Sequence, residues 1–149
     1  MTDETVVNDE IQSDTPSIYE MFGTDQSMEK TGIWLDYGAV GRIKIARAGG
    51  ANSRFAKSLE AKMRPYRRQI EANTMDPKVA DRLLIEVFVD SVVLGWEDIC
   101  GRDGAIMPFT RDNCIKLFTD LPDLFLDVRE QAMKAANFRE LEADTDSKN

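Results

Sequence analysis

The chain has 149 residues, 42% of them apolar and 31% charged, with a net charge of −8 and a pI near 4.6. That balance fits one soluble globular domain with a sizeable core and argues against two domains. Histidine is absent, which removes the commonest general base and the commonest zinc and iron ligand and leaves only carboxylate, Lys, Tyr or Cys chemistry.

Charge is partitioned along the chain. Residues 1–29 hold eight acids and no base, and Arg42 to Arg68 hold nine bases against the single acid Glu60. Glu140, Glu142, Asp144 and Asp146 make the end acidic again. The amino terminus has neither a basic start nor an apolar h-region, and no segment is long and apolar enough to span a bilayer, so the expectation is a cytosolic protein without a membrane partner.

Residues 1–16 are polar and acidic and are expected to be disordered. Ile18, Tyr19, Met21 and Phe22 form a short apolar patch suited to docking on the domain as one helical turn. Around 32–48, two alternating segments flank Gly38-Ala39-Val40-Gly41, a β-hairpin signal. One face of that ribbon is apolar and the other charged. Two strands alone are marginal, so the apolar face must pack on a helix or pair with another chain.

A helix is predicted over about 53–72, capped by Asn52 or Ser53. Phe55, Leu59, Met63, Tyr66 and Ile70 trace its buried stripe, Pro65 should kink or split it at Arg64, and Lys57, Lys62, Arg64, Arg67 and Arg68 lie opposite. The densest apolar run follows and reads as a central helix over about 77–99, capped by Asp76 with Pro77 in its first turn. Its β-branched content also suits a strand, but Arg82, Glu86 and Asp90 recur every four residues and the block is long for one. Thr110 caps a short helix over about 111–119, and the last helix is expected over 122–141, with Phe125, Val128, Ala132, Ala135 and Phe138 on one face. The tail at 140–149 should fray.

The expected fold class is therefore mainly α: a single small helical domain over 17–139 with an amino-terminal β-hairpin and disordered acidic termini. Cys100 and Cys114 read as reduced thiols in or near the core, though a disulfide is geometrically open to them.

No motif carries chemistry. Ala48-Gly49-Gly50-Ala51-Asn52-Ser53 lies where a phosphate loop would, but lacks its Lys-Ser/Thr pair and the third glycine of a dinucleotide fingerprint. The acids around Asp98 to Asp112 do not follow a calcium-loop pattern. The reading is no enzyme, no cofactor and no metal. The basic block is the feature that resists a bland account, and Arg47, Arg64, Arg67 and Arg68 are chosen from it as partner-binding residues on charge clustering alone. Nucleic acid is disfavoured by the pI and by the placing of Phe55 and Tyr66 on the buried stripe. An acidic protein partner and a solvated face balanced by the chain's own acids stay open.

In order, the segments WLDYG, RIKIARAGGANSRF, KMRPYRRQI, VVLGWEDI, the Asp103-Gly104 turn, PFTRDN and LFTDLPDLF resemble the tail assembly chaperones of long-tailed bacteriophages, over Ile18 to Phe138. The resemblance implies a non-enzymatic protein that covers the tape measure protein while the tail tube forms, with the tail tube protein and a second copy as further partners. It would act in the host cytoplasm and leave before the virion is complete. The alternative is a minor tail or head–tail joining protein retained in the particle.

Overall fold

The computed structural model describes residues 15–139. Its architecture is set by the four residues Arg42–Ile45, strand β2, which lie in the middle of a three-stranded antiparallel sheet. The sequence alternates, so Ile43 and Ile45 are fully buried while Arg42 and Lys44 stand on the other face. Strand β1 (Ile33–Asp36) pairs along one edge with Ile33 opposite Ile45 and Asp36 opposite Arg42. A 3₁₀ turn at Gly38–Val40 joins the two. Strand β3 (Val93–Glu97) closes the other edge, with Glu97 opposite Arg42, Trp96 opposite Ile43 and a bulge between Lys44 and Ile45.

Seven α-helical segments surround this sheet among the described residues. Helix α1 (Ile18–Phe22) is a single capped turn, and α2 (Gln26–Thr31) begins at Asp25, whose carboxylate accepts from Met28 N–H at 3.1 Å. Helix α3 (Ser53–Met63) gives way to a 3₁₀ turn at Arg64–Tyr66 around Pro65, and α4 (Arg67–Glu71) follows. Pro65 lacks the amide hydrogen that would continue the ladder, so the helix breaks there. The central helix α5 (Pro77–Ser91) is capped by Asp76. Helices α6 (Arg111–Asp120) and α7 (Pro122–Met133) complete the helical layer, with Thr110 capping α6.

Three sequence expectations are overturned. The fold is mixed rather than mainly α, because the sheet supplies one wall of the core. The helix expected over 77–99 stops at Ser91, and Val93–Glu97 is a strand. The four-residue polar period that argued for helix ends at Asp90; its next position is Leu94. From there Val92 and Val93 are β-branched and Gly95 is a poor helix former. The unpaired edge of β2 also needs partners for its N–H and C=O groups. The switch is abrupt: Val92 N–H still closes on Phe88 at 2.8 Å while its carbonyl already accepts from Ala46 N–H at 2.8 Å. The hairpin therefore finds its third strand within its own chain.

The helix expected over 122–141 is also shorter, ending at Met133 with a 3₁₀ turn at Ala135–Phe138. Asn137 turns its amide onto the Gln131 backbone and side-chain oxygens, both at 2.9 Å, which satisfies the end of α7. Phe138 is fully buried beyond it. The disorder expected over 1–16 falls outside the described residues except at Thr15 and Pro16, and the tail at 140–149 lies wholly outside them.

The core lies between the inner sheet face and helices α5, α6 and α7. Phe88, 2% exposed, sits at its centre, edge-on to Phe55 at 5.4 Å and to Phe125 at 5.5 Å. Phe125 in turn meets Phe118 at 5.4 Å. Tyr37 Oη donates to Asp127 at 2.7 Å and so ties the hairpin to α7.

A buried ion pair fixes the passage from β2 into α3. Glu29, 2% exposed, accepts from Arg47 at 2.6 Å and from Thr24 Oγ1 at 2.9 Å. Its backbone carbonyl takes Arg47 N–H at 2.9 Å. Asn52 is also buried. Instead of capping α3, its amide donates to the carbonyls of Arg47 at 2.9 Å and Ser91 at 2.8 Å, joining the loop to the end of α5. Gly50, at φ +54°, presses against the pair: a Cβ there would overlap the Glu29 carboxylate.

Burial alone would raise the Glu29 pKa, but the hydrogen bonds from Arg47 and Thr24 and the Arg47 charge outweigh it and hold the group below its ordinary 4.5. A depressed folded pKa gives stability that is complete above the ordinary value and is lost as pH falls through the lower folded one. Thermal melts should therefore show wild type losing stability steeply on strong acidification. Glu29→Gln should start lower at neutral pH and decline less. Gly50→Ala should cost about 2 kcal/mol or more in denaturant titrations, since it meets both positive φ and the buried pair.

Both thiols are free, Cys100 exposed and Cys114 fully buried. Burial, with the Asp90 charge nearby, pushes the Cys114 thiol up to about 12. At neutral pH a thiol reagent should label one cysteine per native chain and two after denaturation; prompt labelling of both in the native state would contradict the burial of Cys114.

Candidate functional site

The basic block from Arg42 to Arg68 is where the sequence concentrates potential for recognition, and the fold divides it in two. Four of its bases are engaged internally. Arg42 pairs with Glu97 at 2.6 Å and lies 4.0 Å from the centre of the Trp34 ring. Arg47 is held by Glu29, and Arg54 donates to the Asp90 carbonyl at 2.8 Å. Lys62 reaches Glu86 and Asp90, each at 3.9 Å. Those two acids also take Arg111 from α6, at 3.4 and 2.7 Å. The polar stripe of α5 is thus the seam along which α3 and α6 are held, and Arg111 keeps its charge firmly because of the Asp90 hydrogen bonds.

Lys44 lies beside Trp34, its Nζ 5.7 Å from the ring centre. The remaining bases, Lys57, Arg64, Arg67 and Arg68, face outward on α3 and beyond. Arg64 pairs with Glu60 one turn earlier, and Arg67 reaches the same carboxylate at 3.6 Å. The hydrogen bond from Arg64 holds the Glu60 carboxyl below its ordinary range. Two guanidinium groups thus share one exposed acid. Lys57 and Arg68 make no ion pair among the described residues.

The quartet Arg47, Arg64, Arg67 and Arg68 is therefore not one site. Arg47 precedes α3 and the other three follow it; an eleven-residue helix separates them by roughly 16 Å. Arg47 has an internal partner, whereas Arg64, Arg67 and Arg68 project together from a segment in which no residue of the 3₁₀ turn or α4 is buried. Ile70, expected on the buried stripe, is 45% exposed beside them, because the break at Pro65 takes α4 out of the phase of α3. The resulting surface combines three guanidinium groups with an unburied aliphatic side chain.

Two further exposed apolar features bear on recognition. Helix α1 is suited to docking, yet none of its residues is buried: Ile18, Tyr19, Met21 and Phe22 are all exposed, Tyr19 at 84%. The outer sheet face carries Trp34, Lys44 and Gly95 in one cross-strand row and Asp36, Arg42 and Glu97 in the next. Alternation in β1 signals the second feature; nothing in SIYEMF signals that it stands alone.

Among the described residues no group of three or more His, Cys, Asp and Glu side chains is placed to hold a metal ion, and no helix is long and apolar enough to cross a membrane. The glycine loop after β2 is already filled by the Glu29 carboxylate, so a phosphate would meet a negative charge there.

A family model described as YdaY prophage protein matches residues 50–149. No curated protein and no solved structure matches the chain.

Proposed function

The chain belongs to the YdaY prophage protein family, a phage-associated family, and we propose that it serves phage morphogenesis by binding another protein and not by chemistry. The specific role we propose is that of a tail assembly chaperone, as the resemblance of its segments to that group suggests. Its client would be the tape measure protein, with the tail tube protein as a further contact. It would act in the host cytoplasm and be released before the virion is finished.

The observation that carries this reading is the segment Arg64–Glu71, which stands off the core with Arg64, Arg67 and Arg68 beside the exposed Ile70. A tape measure is a long, mostly helical chain with apolar stripes that need covering until the tube encloses them. Where such a helix carries acids beside its aliphatic side chains, a basic projection with an aliphatic centre would be complementary to it. The overall charge of −8 helps to keep a covered client in solution. Binding of this kind is favoured by mass action when many copies line one client.

Co-expression with the tape measure protein of the same prophage should raise that protein's soluble fraction and give a co-purifying complex. Charge reversal at Arg64, Arg67 and Arg68 together should reduce the recovered client about tenfold, from three lost pairs of under about 1 kcal/mol each. Arg54→Gln, which touches only an internal carbonyl, serves as the matched control. A client that stays insoluble and unbound at every salt concentration sinks the proposal. Stoichiometric presence of the chain in purified virions would replace it with a structural role.

A further inference from the structure

We infer that the acidic segment of residues 3–14 folds back onto the basic surface around Arg64, Arg67 and Arg68 of its own chain and covers it until a partner displaces it. Lys57 and Arg64 are seven residues apart and so share one side of α3. Arg67, which reaches Glu60 on that side at 3.6 Å, brings α4 onto it past the break at Pro65. Lys57, Arg64, Arg67 and Arg68 are all exposed, and so is Ile70 beside them. From Lys57 to Glu71 five bases meet two acids, Glu60 and Glu71. Glu60 is already shared by Arg64 and Arg67, and Lys62 is turned to Glu86 and Asp90. The surface therefore keeps a positive charge that its own elements do not answer.

The chain carries a matching piece. Residues 3–14 hold Asp3, Glu4, Asp9, Glu10 and Asp14 and no base, with Val6, Val7 and Ile11 set among them. Carboxylates answer the guanidinium groups, and an aliphatic side chain answers Ile70. The other acidic stretch, residues 140–149, fits less well: its four acids are offset by Lys148, and Leu141 is its one large aliphatic side chain.

The reach is sufficient within one molecule. Asp25 begins α2, Glu29 on that helix bonds Arg47, and Asn52 bonds the Arg47 carbonyl just before α3. Followed along that path to the end of α3, Arg64 is at most about 40 Å from Asp25. From Asp25 back to Glu4, with α1 kept helical, the chain spans up to about 60 Å. Each exposed ion pair contributes under about 1 kcal/mol, yet the tether presents the segment at an effective concentration of roughly millimolar, where a few such pairs suffice. Salt should screen the contact and open it.

The effect on a client rests on the proposed chaperone role; the seating itself does not. In nuclear magnetic resonance spectra of the labelled full chain at low salt, the amides of residues 6–11 should differ from those of a synthetic peptide of residues 1–14. They should move to the peptide's positions at about 0.5 M salt. Charge reversal at Arg64, Arg67 and Arg68 together should release them at low salt, and Arg54→Gln should not; unchanged amides in α5 to α7 verify the fold. Wild-type amides that already match the peptide overturn the inference, as do shifts that survive the charge reversal. So do shifts at 140–149 in place of 6–11, or shifts lost on dilution, which would give the seat to a second copy. With the seat weakened, Asp9→Asn combined with Glu10→Gln should raise recovery of the tape measure protein about threefold at low salt. Shifts in a chain that binds no client would sink the chaperone reading and keep the seat. Unchanged recovery by a chain that does bind overturns the masking.

Discussion

The middle position of Arg42–Ile45 is the constraint from which the rest of the fold follows. A strand with one apolar face must have that face covered, and a strand in the interior of a sheet must have both edges paired. The first need brings α5, α6 and α7 onto Ile43 and Ile45. The second is met by Val93–Glu97, which leaves the central helix and enters the sheet within two residues. Placing that strand antiparallel to β2 fixes where α5 must end, and with it the position of Phe88 among the aromatic rings of the core.

The charge balance follows the same logic. A block of nine bases in an otherwise acidic chain looks like a surface for a foreign anion, yet much of it answers the chain's own carboxylates. Glu29 is carried into the loop after β2, where it fills the glycine cradle and neutralises Arg47. Glu86 and Asp90 hold Lys62 on one side and Arg111 on the other. What remains for recognition is the far end of the basic stretch, where Pro65 breaks the helix and turns three arginines outward. Two acids of the α5 stripe thus serve as internal glue, while Lys57 and the three arginines around the Pro65 break are left facing solvent.

Much of this was legible in the residues. Asp76, Thr110 and Pro65 mark helix starts and a break that the backbone respects, and alternation in RIKI marks β2 with its correct faces. The class of the fold was not legible, because Val92 to Glu97 reads equally as the end of an apolar helix or as a strand. The deciding partner, β2, lies fifty residues away along the chain. The internal pairing of Arg47 was hidden for a related reason: its partner Glu29 belongs to an acidic stretch that composition assigns to solvent, and the Arg47 backbone and side chain and Thr24 together hold it inward. The exposure of Ile70 and of α1 could not be read from apolar spacing, since spacing reports which side chains share a face and not whether anything covers it.

The hydrogen bond from Asp25 to Phe138 works as a clasp. It ties the start of α2 to the 3₁₀ turn after α7 across most of the described chain, so the contact can form only once the intervening elements have packed, and loosening one of the two segments frees the other.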